Sequence, residues 1–322
     1  QRLDQRDPAR QGQGTVAMQR YLIGRVFQAL VSIFVISIIV FVVARMIGDP
    51  TVLLVPPEAG PEEIADLRTR LGIDRPIYEQ YLTFIGNALR GDFGQSFKWK
   101  EPALGLVLDR LPATLQLTLV AMFVATLIAI PVGVLSSMNA GSGFDRFGKA
   151  FALLGQSAPT FWVGIMLMLV FSVQFRLFPV GGRGGLQHLV LPAVTLGWYM
   201  MAAVTRLTRS TMLDVLDAEY IKMARIKGAP ERIVILKHAL KNAAIPVVTL
   251  ISLQFAALMG GAVITGTIFA WPGVGRLAVD AIMARDYPVV QTVVFVSSIL
   301  FVTINLVVDV LYAYLDPRIR YA

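Results

Sequence analysis

The 322-residue sequence is 56% hydrophobic and only 16% charged, with a mean hydropathy of +0.65. A soluble domain carries about a quarter charged residues, so this composition excludes a soluble globular chain and predicts a polytopic membrane protein. The formal charge of +8 sits in loops between apolar runs; it follows the positive-inside pattern and does not argue for a nucleic-acid partner. Cysteine is absent, which excludes disulfides, thiolate metal sites and thiol nucleophiles. His188 and His238 stand far apart with no ligand-spaced acids around either, so no metal site is expected.

Residues 1–17 are polar, contain Gly and Pro, and predict a disordered segment, either a cytoplasmic tail or an artificial extension ahead of Met18. Residues 18–47 hold the first span, whose apolar run at 26–44 follows Arg20 and Arg25 and precedes Arg45. That run is too long for a signal-peptide core and lacks a small-residue cleavage site. Residues 48–112 carry ten acids against seven Lys/Arg and predict a long extracytoplasmic region, with short helices starting at Pro61 and spanning about 76–89.

Residues 113–322 predict a five-helix core, with spans near 114–136, 151–175, 189–205, 245–269 and 289–311. Six spans place both termini in the cytoplasm, in agreement with Arg146 and Lys149 in a short turn and Arg318 and Arg320 in the tail. Pro131 and Pro159 fall inside spans, where the missing donor must be compensated by neighbours or water. Asn305 and Asp309 lie four apart on one face of the last span, suited to packing against a partner subunit or to lining a path.

A basic, helix-forming stretch interrupts the apolar runs at 206–242, with eight Lys/Arg against four acids. The excess predicts a cytoplasmic loop that docks a partner. Gly228, followed by Ala229 and Pro230, breaks the helix and predicts two short helices with a corner. The bland alternative for its basic residues is attraction to anionic headgroups.

Several apparent catalytic motifs fail on context. GFDRFGKA (143–150) lacks the Ser/Thr and the preceding strand of a phosphate-binding loop. Asp92-Phe93-Gly94 has none of the accompanying kinase elements. No nucleophilic triad is available, so no catalytic residue is expected. The spans also offer almost no ionisable group of the kind that couples an ion gradient. A secondary transporter or channel acting alone is therefore the runner-up, and a membrane enzyme the third possibility.

Around Gly228 the sequence resembles the cytoplasmic signature of ABC importer permeases, E-A-A-x-x-x-G-x(9)-I-x-L-P, with Lys222-Met223-Ala224 before Gly228 and His238-Ala239-Leu240 after it at the same spacing. The departures, Lys222 for Glu, Met223 for Ala, His238 for Ile and Lys241 for Pro, are similar to the dipeptide/oligopeptide/nickel (and glutathione) subfamily. The resemblance runs from Met18 to the end through GDP, LGIDRPIYEQY, GDFGQS, RLPATLQLTL, PTFW, HLVLPAVTLG, WPGVGR, RDYP and DPRIR.

The resemblance implies an all-α type I ABC importer permease in the bacterial inner membrane, of the first permease subunit type. It would pair with a homologous permease, two ATPases that bind ATP and Mg, and an extracytoplasmic solute-binding protein. No cofactor is expected in this chain. The cargo would be di- or oligopeptides, with glutathione or nickel chelates as alternatives. Glu219, Tyr220, Lys222, Ala224, Arg225, Gly228, Pro230, His238 and Leu240 would form the ATPase-coupling loop, with Arg225 free to pair with partner carboxylates. Trp271, Pro272, Gly273, Arg276 and Asp286 would form an extracytoplasmic gate or binding-protein contact, or in the case of Trp271 an interfacial anchor.

Overall fold

Apolar runs that cross lipid must satisfy their own backbone donors and acceptors, and this chain does so with helices. The structure, a computed structural model, describes residues 8–46, 51, 55 and 60–315. The side chains of 8–22, 44, 70, 71, 309 and 311–315 lie outside the described residues, as do GDP (48–50) and DPRIR (316–320). The helices are α1 (Pro8–Met46), α2 (Pro61–Leu71), α3 (Ile77–Ala88), α4 (Ala103–Met138), α5 (Gly143–Ser157) and α6 (Thr160–Gln174). They continue with α7 (Gln187–Leu216), α8 (Glu219–Ile226), α9 (Glu231–Ile268), α10 (Val274–Met283) and α11 (Tyr287–Leu315). Extended pairing among the described residues is limited to a bridge between Gln95 and Pro102.

Five helices are long and apolar enough to cross a membrane, and a sixth crossing arises if α5 and α6 count as one. Those two are bent by 110° at Ala158-Pro159. The single third span expected at 151–175 is therefore a broken one, because Pro159 serves as the N-cap of α6 and does not sit within a continuous helix. From Met168 onward α6 widens into π turns. The fourth span, expected as 189–205, extends to Leu216 and takes up the first part of the expected 206–242 loop.

Residues 8–17, expected to be disordered, form the first turns of α1. Pro8 suits a first turn, and the Ala, Arg and Gln that follow are good helix formers. Gly60 precedes α2, whose first turn holds Pro61, Glu62 and Glu63, the acids facing the positive end of the helix dipole.

The chain divides into two compact units: residues 1–109 with 277–322, and residues 110–276. In this division the last helix belongs with the first. Within the first unit α1 packs against α11. Ser37 Oγ lies 2.8 Å from the Tyr81 hydroxyl, and Phe41 meets the Tyr81 ring edge-on at 5.3 Å. Phe84, Phe93 and Phe295 form an aromatic cluster. Gln80, from the LGIDRPIYEQY motif, donates to the carbonyls of Ile73 and Arg75 and accepts from Arg45 Nε at 2.9 Å, fixing the entry to α3.

In the second unit, Ala113, Leu117, Ala121, Ala125 and Ala129 recur every four residues down α4 and are all buried. This stripe admits α7 at close range, since a Cβ on Gly197 would lie 2.9 Å from the Ala121 carbonyl oxygen and 3.2 Å from Ala125 Cβ. Small residues let helices approach closely in lipid, where dispersion contacts replace the hydrophobic drive. Leu189, Ala193, Leu196, Met200 and Val204 of α7 complete this core with Val247, Leu258 and Ala262 of α9. Gly197→Leu is expected to overpack the α4–α7 contact, cost about 1 to 3 kcal/mol, and lower the thermal melting point in detergent.

Candidate functional site

Helix α8 projects between α7 and α9 and is held by one apolar anchor. Ile221 is fully buried in a cluster with Val134, Met212, Val234, Ile235, Ala239 and Ala243, against which Ala224, Ala229 and Leu240 also pack. Tyr220 adds a tie, its hydroxyl accepting from Asn242 Nδ2 of α9 at 3.0 Å.

Gly228 ends the helix. Its φ of +77° is left-handed, its N–H donates to the Arg225 carbonyl, and the Ala229 N–H reaches back to the Ala224 carbonyl. This pair of bonds is a Schellman cap, in which glycine avoids the Cβ penalty. A Cβ there would meet open space, so the constraint is backbone conformation and not crowding.

The chain leaves the corner through Pro230, the N-cap of the helix that follows. Instead of the second short helix expected, that helix is the start of α9, continuous to Ile268 through π turns at Val234–Ala239. His238 lies in these π turns, half-buried, with its carbonyl accepting from Asn242.

Two charged residues expected to face a partner are engaged within the chain. Arg225 donates from Nε and Nη2 to the two oxygens of Glu231 at 3.2 and 2.8 Å, bridging the corner. That hydrogen-bonded carboxylate raises the guanidinium pKa further above its ordinary value. Lys222 pairs with Glu219 at 3.0 Å, and this hydrogen bond raises its pKa as well. Ala224 faces the apolar cluster and not outward. The outward apolar surface is made by Met223 and Ile226, which are 56% and 80% exposed. Sequence reasoning passed over both, although an apolar pair three residues apart on an otherwise basic helix is the available signal.

The seat of this site is reinforced by a buried carboxylate. Ser142 caps α5 by accepting from the Asp145 N–H, and Asp145 itself has no exposed surface. Its Oδ1 accepts from Ser136 Oγ of α4 at 2.6 Å and from Arg209 Nε of α7 at 2.6 Å. Its Oδ2 accepts from Arg209 Nη2 at 3.0 Å, the Gly141 N–H at 2.9 Å and Lys149 Nζ at 2.9 Å. Lys149, expected in a short cytoplasmic turn, thus pairs with this carboxylate from within α5. Arg209 lies two helical turns before the end of α7, from which the chain passes directly into α8.

Elsewhere in the same unit, Trp271 is 1% exposed and donates from Nε1 to the Ala113 carbonyl at 2.8 Å. Gly273 is crowded by Thr114, whose hydroxyl oxygen accepts from the Val274 N–H. Arg276 donates to the Ala270 carbonyl, and Pro272 is half-buried. WPGVGR is therefore fastened to α4. The interfacial-anchor assignment for Trp271 is corrected, because its indole N–H finds a carbonyl partner inside the protein.

In the first unit Asp286 is fully buried. It accepts from Ser96 Oγ at 2.5 Å and from the Lys98 N–H at 3.1 Å, holding the GDFGQS loop and presenting no surface to a partner. Asn305 is half-buried on α11, and the side chain of Asp309 lies outside the described residues. No cluster of three or more His, Cys, Asp or Glu suited to a metal occurs among the described residues.

Small residues at the helix contacts, a broken third crossing and a short helix set between two long ones make up an all-helical membrane fold, and it is the fold of ABC importer permeases. Solved structures agree on the fold. A chain of the MetNI methionine ABC transporter in inward facing conformations aligns with a TM-score of 0.55 at 21% identity, covering 64% of this chain and 94% of that one. An amino acid ABC transporter structure with histidines aligns at 0.54 and 15% identity, covering 66% and 94%.

The chain belongs to the family described as binding-protein-dependent transport system inner membrane component, matched over residues 129–321, with the N-terminal component of the same systems matched over 18–118. It is 41% identical over 305 residues to the glutathione transport system permease proteins GsiC of Escherichia coli (strain K12) and of Shigella dysenteriae serotype 1 (strain Sd197), covering 94% of this chain and 100% of each relative. It is thus a multi-pass inner-membrane permease subunit of an ABC importer and a non-catalytic component.

Two outcomes follow from this geometry. Asp145→Asn removes the partner of a largely buried guanidinium and is expected to cost about 3 to 5 kcal/mol, read as a lower melting temperature of the solubilised protein. Gly228→Ala forces a Cβ into the left-handed region at about 1 to 2 kcal/mol; limited proteolysis should then cut faster at the α8–α9 corner.

Proposed function

We propose that this subunit translocates short peptides, with glutathione the leading candidate, and is driven by ATPases that engage α8 on the cytoplasmic side. The observation carrying the cargo assignment is the 41% identity to glutathione permeases over nearly the whole chain. The position of α8 supports the coupling assignment: it is anchored on one face by Ile221 and exposes Met223 and Ile226 on the other. An ATPase groove would receive those two apolar side chains, together with Tyr220 and the outward ends of Lys222 and Glu219. Pro230, His238 and Leu240 would shape the corner and its support and would not touch the partner. A homologous permease, two ATPases and an extracytoplasmic binding protein complete the proposed assembly, with both termini in the cytoplasm.

The test is reconstitution of the complete complex in liposomes. Uptake of radiolabelled glutathione is expected to require ATP and binding protein, and loaded binding protein should stimulate ATP hydrolysis. Ile226→Asp or Gly228→Arg should reduce the stimulated rate at least tenfold without dissociating the two permeases. Uptake by this chain alone, driven by an ion gradient, would overturn the proposal in favour of a secondary transporter. ATP-driven uptake of longer peptides but not glutathione would reassign the cargo.

A further inference from the structure

Helix α7 carries a polar stripe that neither the core nor the α8 seat uses. Tyr199, Arg206 and Ser210 recur at helical spacing along one face, with the small Ala203 between them, and they face Leu250 and Gln254 of α9 across a cavity of ≈ 450 Å³. Tyr199 is 51% exposed, and Arg206 and Ser210 are exposed as well. Arg206 takes part in no ion pair among the described residues, whereas Arg209, one turn further on, is held by Asp145 on both oxygens. A face turned to lipid would be apolar at these positions. Arg206 stands about three turns before the α8 end of this helix, where an exposed guanidinium suits either a water-filled path or the headgroup region.

The volume lies in the range of small-ligand sites, roughly 300 to 1,000 Å³. The chemistry on its walls is that of a peptide end: a planar guanidinium matches a carboxylate, while a phenol and an amide can pair with peptide N–H and C=O groups. A long side chain snorkelling to headgroups would explain Arg206 alone. It does not explain the tyrosine seven residues before it or the glutamine on the facing helix.

We propose that this cleft is the chain's contact for the cargo during translocation, with Arg206 receiving a peptide carboxylate and Tyr199 and Gln254 flanking it. The proposal rests on short peptides being the cargo. Because the chain contains no cysteine, Ser210→Cys introduces its single thiol.

In the reconstituted complex, labelling of that thiol is compared for a sulfonate-bearing and a trimethylammonium-bearing methanethiosulfonate, with the adduct read by mass on this chain. Both reagents should react. Adding Arg206→Gln should lower the sulfonate-to-ammonium rate ratio about fivefold, the effect of one nearby charge in a wet cleft. Arg206→Lys should preserve the ratio. S-methylglutathione should slow labelling and its dimethyl ester should not, and that protection should vanish in Arg206→Gln.

Absence of labelling by either reagent, a ratio indifferent to Arg206, or equal protection by acid and ester would overturn the proposal. Glutathione uptake assayed on the same liposomes separates the failures. Intact ATP-driven uptake with no protection sinks the cleft alone, while loss of all peptide uptake in the unsubstituted complex sinks the cargo assignment on which it rests.

Discussion

A carboxylate with no exposed surface must have its charge and its lone pairs answered by the protein, and Asp145 is answered from three directions. Ser136 comes from α4, the Gly141 N–H and Lys149 from the turn and helix around it, and Arg209 from α7. Their convergence fixes the end of the second unit nearest α8, because α7 can neither slide nor rotate without breaking a two-pronged ion pair. An Arg–carboxylate fork adds directional constraint as well as energy. The small-residue stripe along α4 sets how closely α7 approaches, and the fork sets its axial position.

Helix α8 inherits that order. Eight residues are too few to be stable as an isolated helix, so its conformation comes from the seat under Ile221, the Tyr220–Asn242 tie and the capped end at Gly228. The internal pairs Lys222–Glu219 and Arg225–Glu231 are exposed and contribute little to stability. What they do is occupy the charges that would otherwise be offered outward, leaving Met223 and Ile226 as the distinctive surface.

The long spans were legible because apolar runs of sufficient length have few other structural outcomes, and the start of α2 was legible from Pro61 and the two glutamates after it. The break at Ala158-Pro159 was not, since no charged residue interrupts 151–175 and a proline inside a span is compatible with either a mild kink or a 110° bend. Asp145 was hidden because its partner stands 64 residues away, and nothing near Arg209 distinguishes a committed arginine from a loop cation such as Arg232. Trp271 misled for a related reason. An aromatic beside Pro and Gly at the end of a span suits the lipid interface, and only the Ala113 carbonyl, 158 residues away, draws it inside. In the loop itself the capped glycine was visible in the sequence, whereas the direction in which each side chain points depended on where Ile221 found its cluster.

The continuity of α9 has a mechanical consequence. From Glu231 to Ile268 its 38 residues form one rod, about 57 Å long at 1.5 Å per residue. Buried Ile221 packs in one cluster with Val234 and Ile235 in the first turns of that rod, and the corner between the two helices is capped at Gly228, so force applied at α8 would have a short route into it. One compliant element on the route is the π segment at Val234–Ala239, where the backbone ladder is wider and i→i+5 hydrogen bonds replace the regular α pattern. Load entering at one end of the helix would concentrate its strain there and at Pro246, where a ladder hydrogen bond is missing.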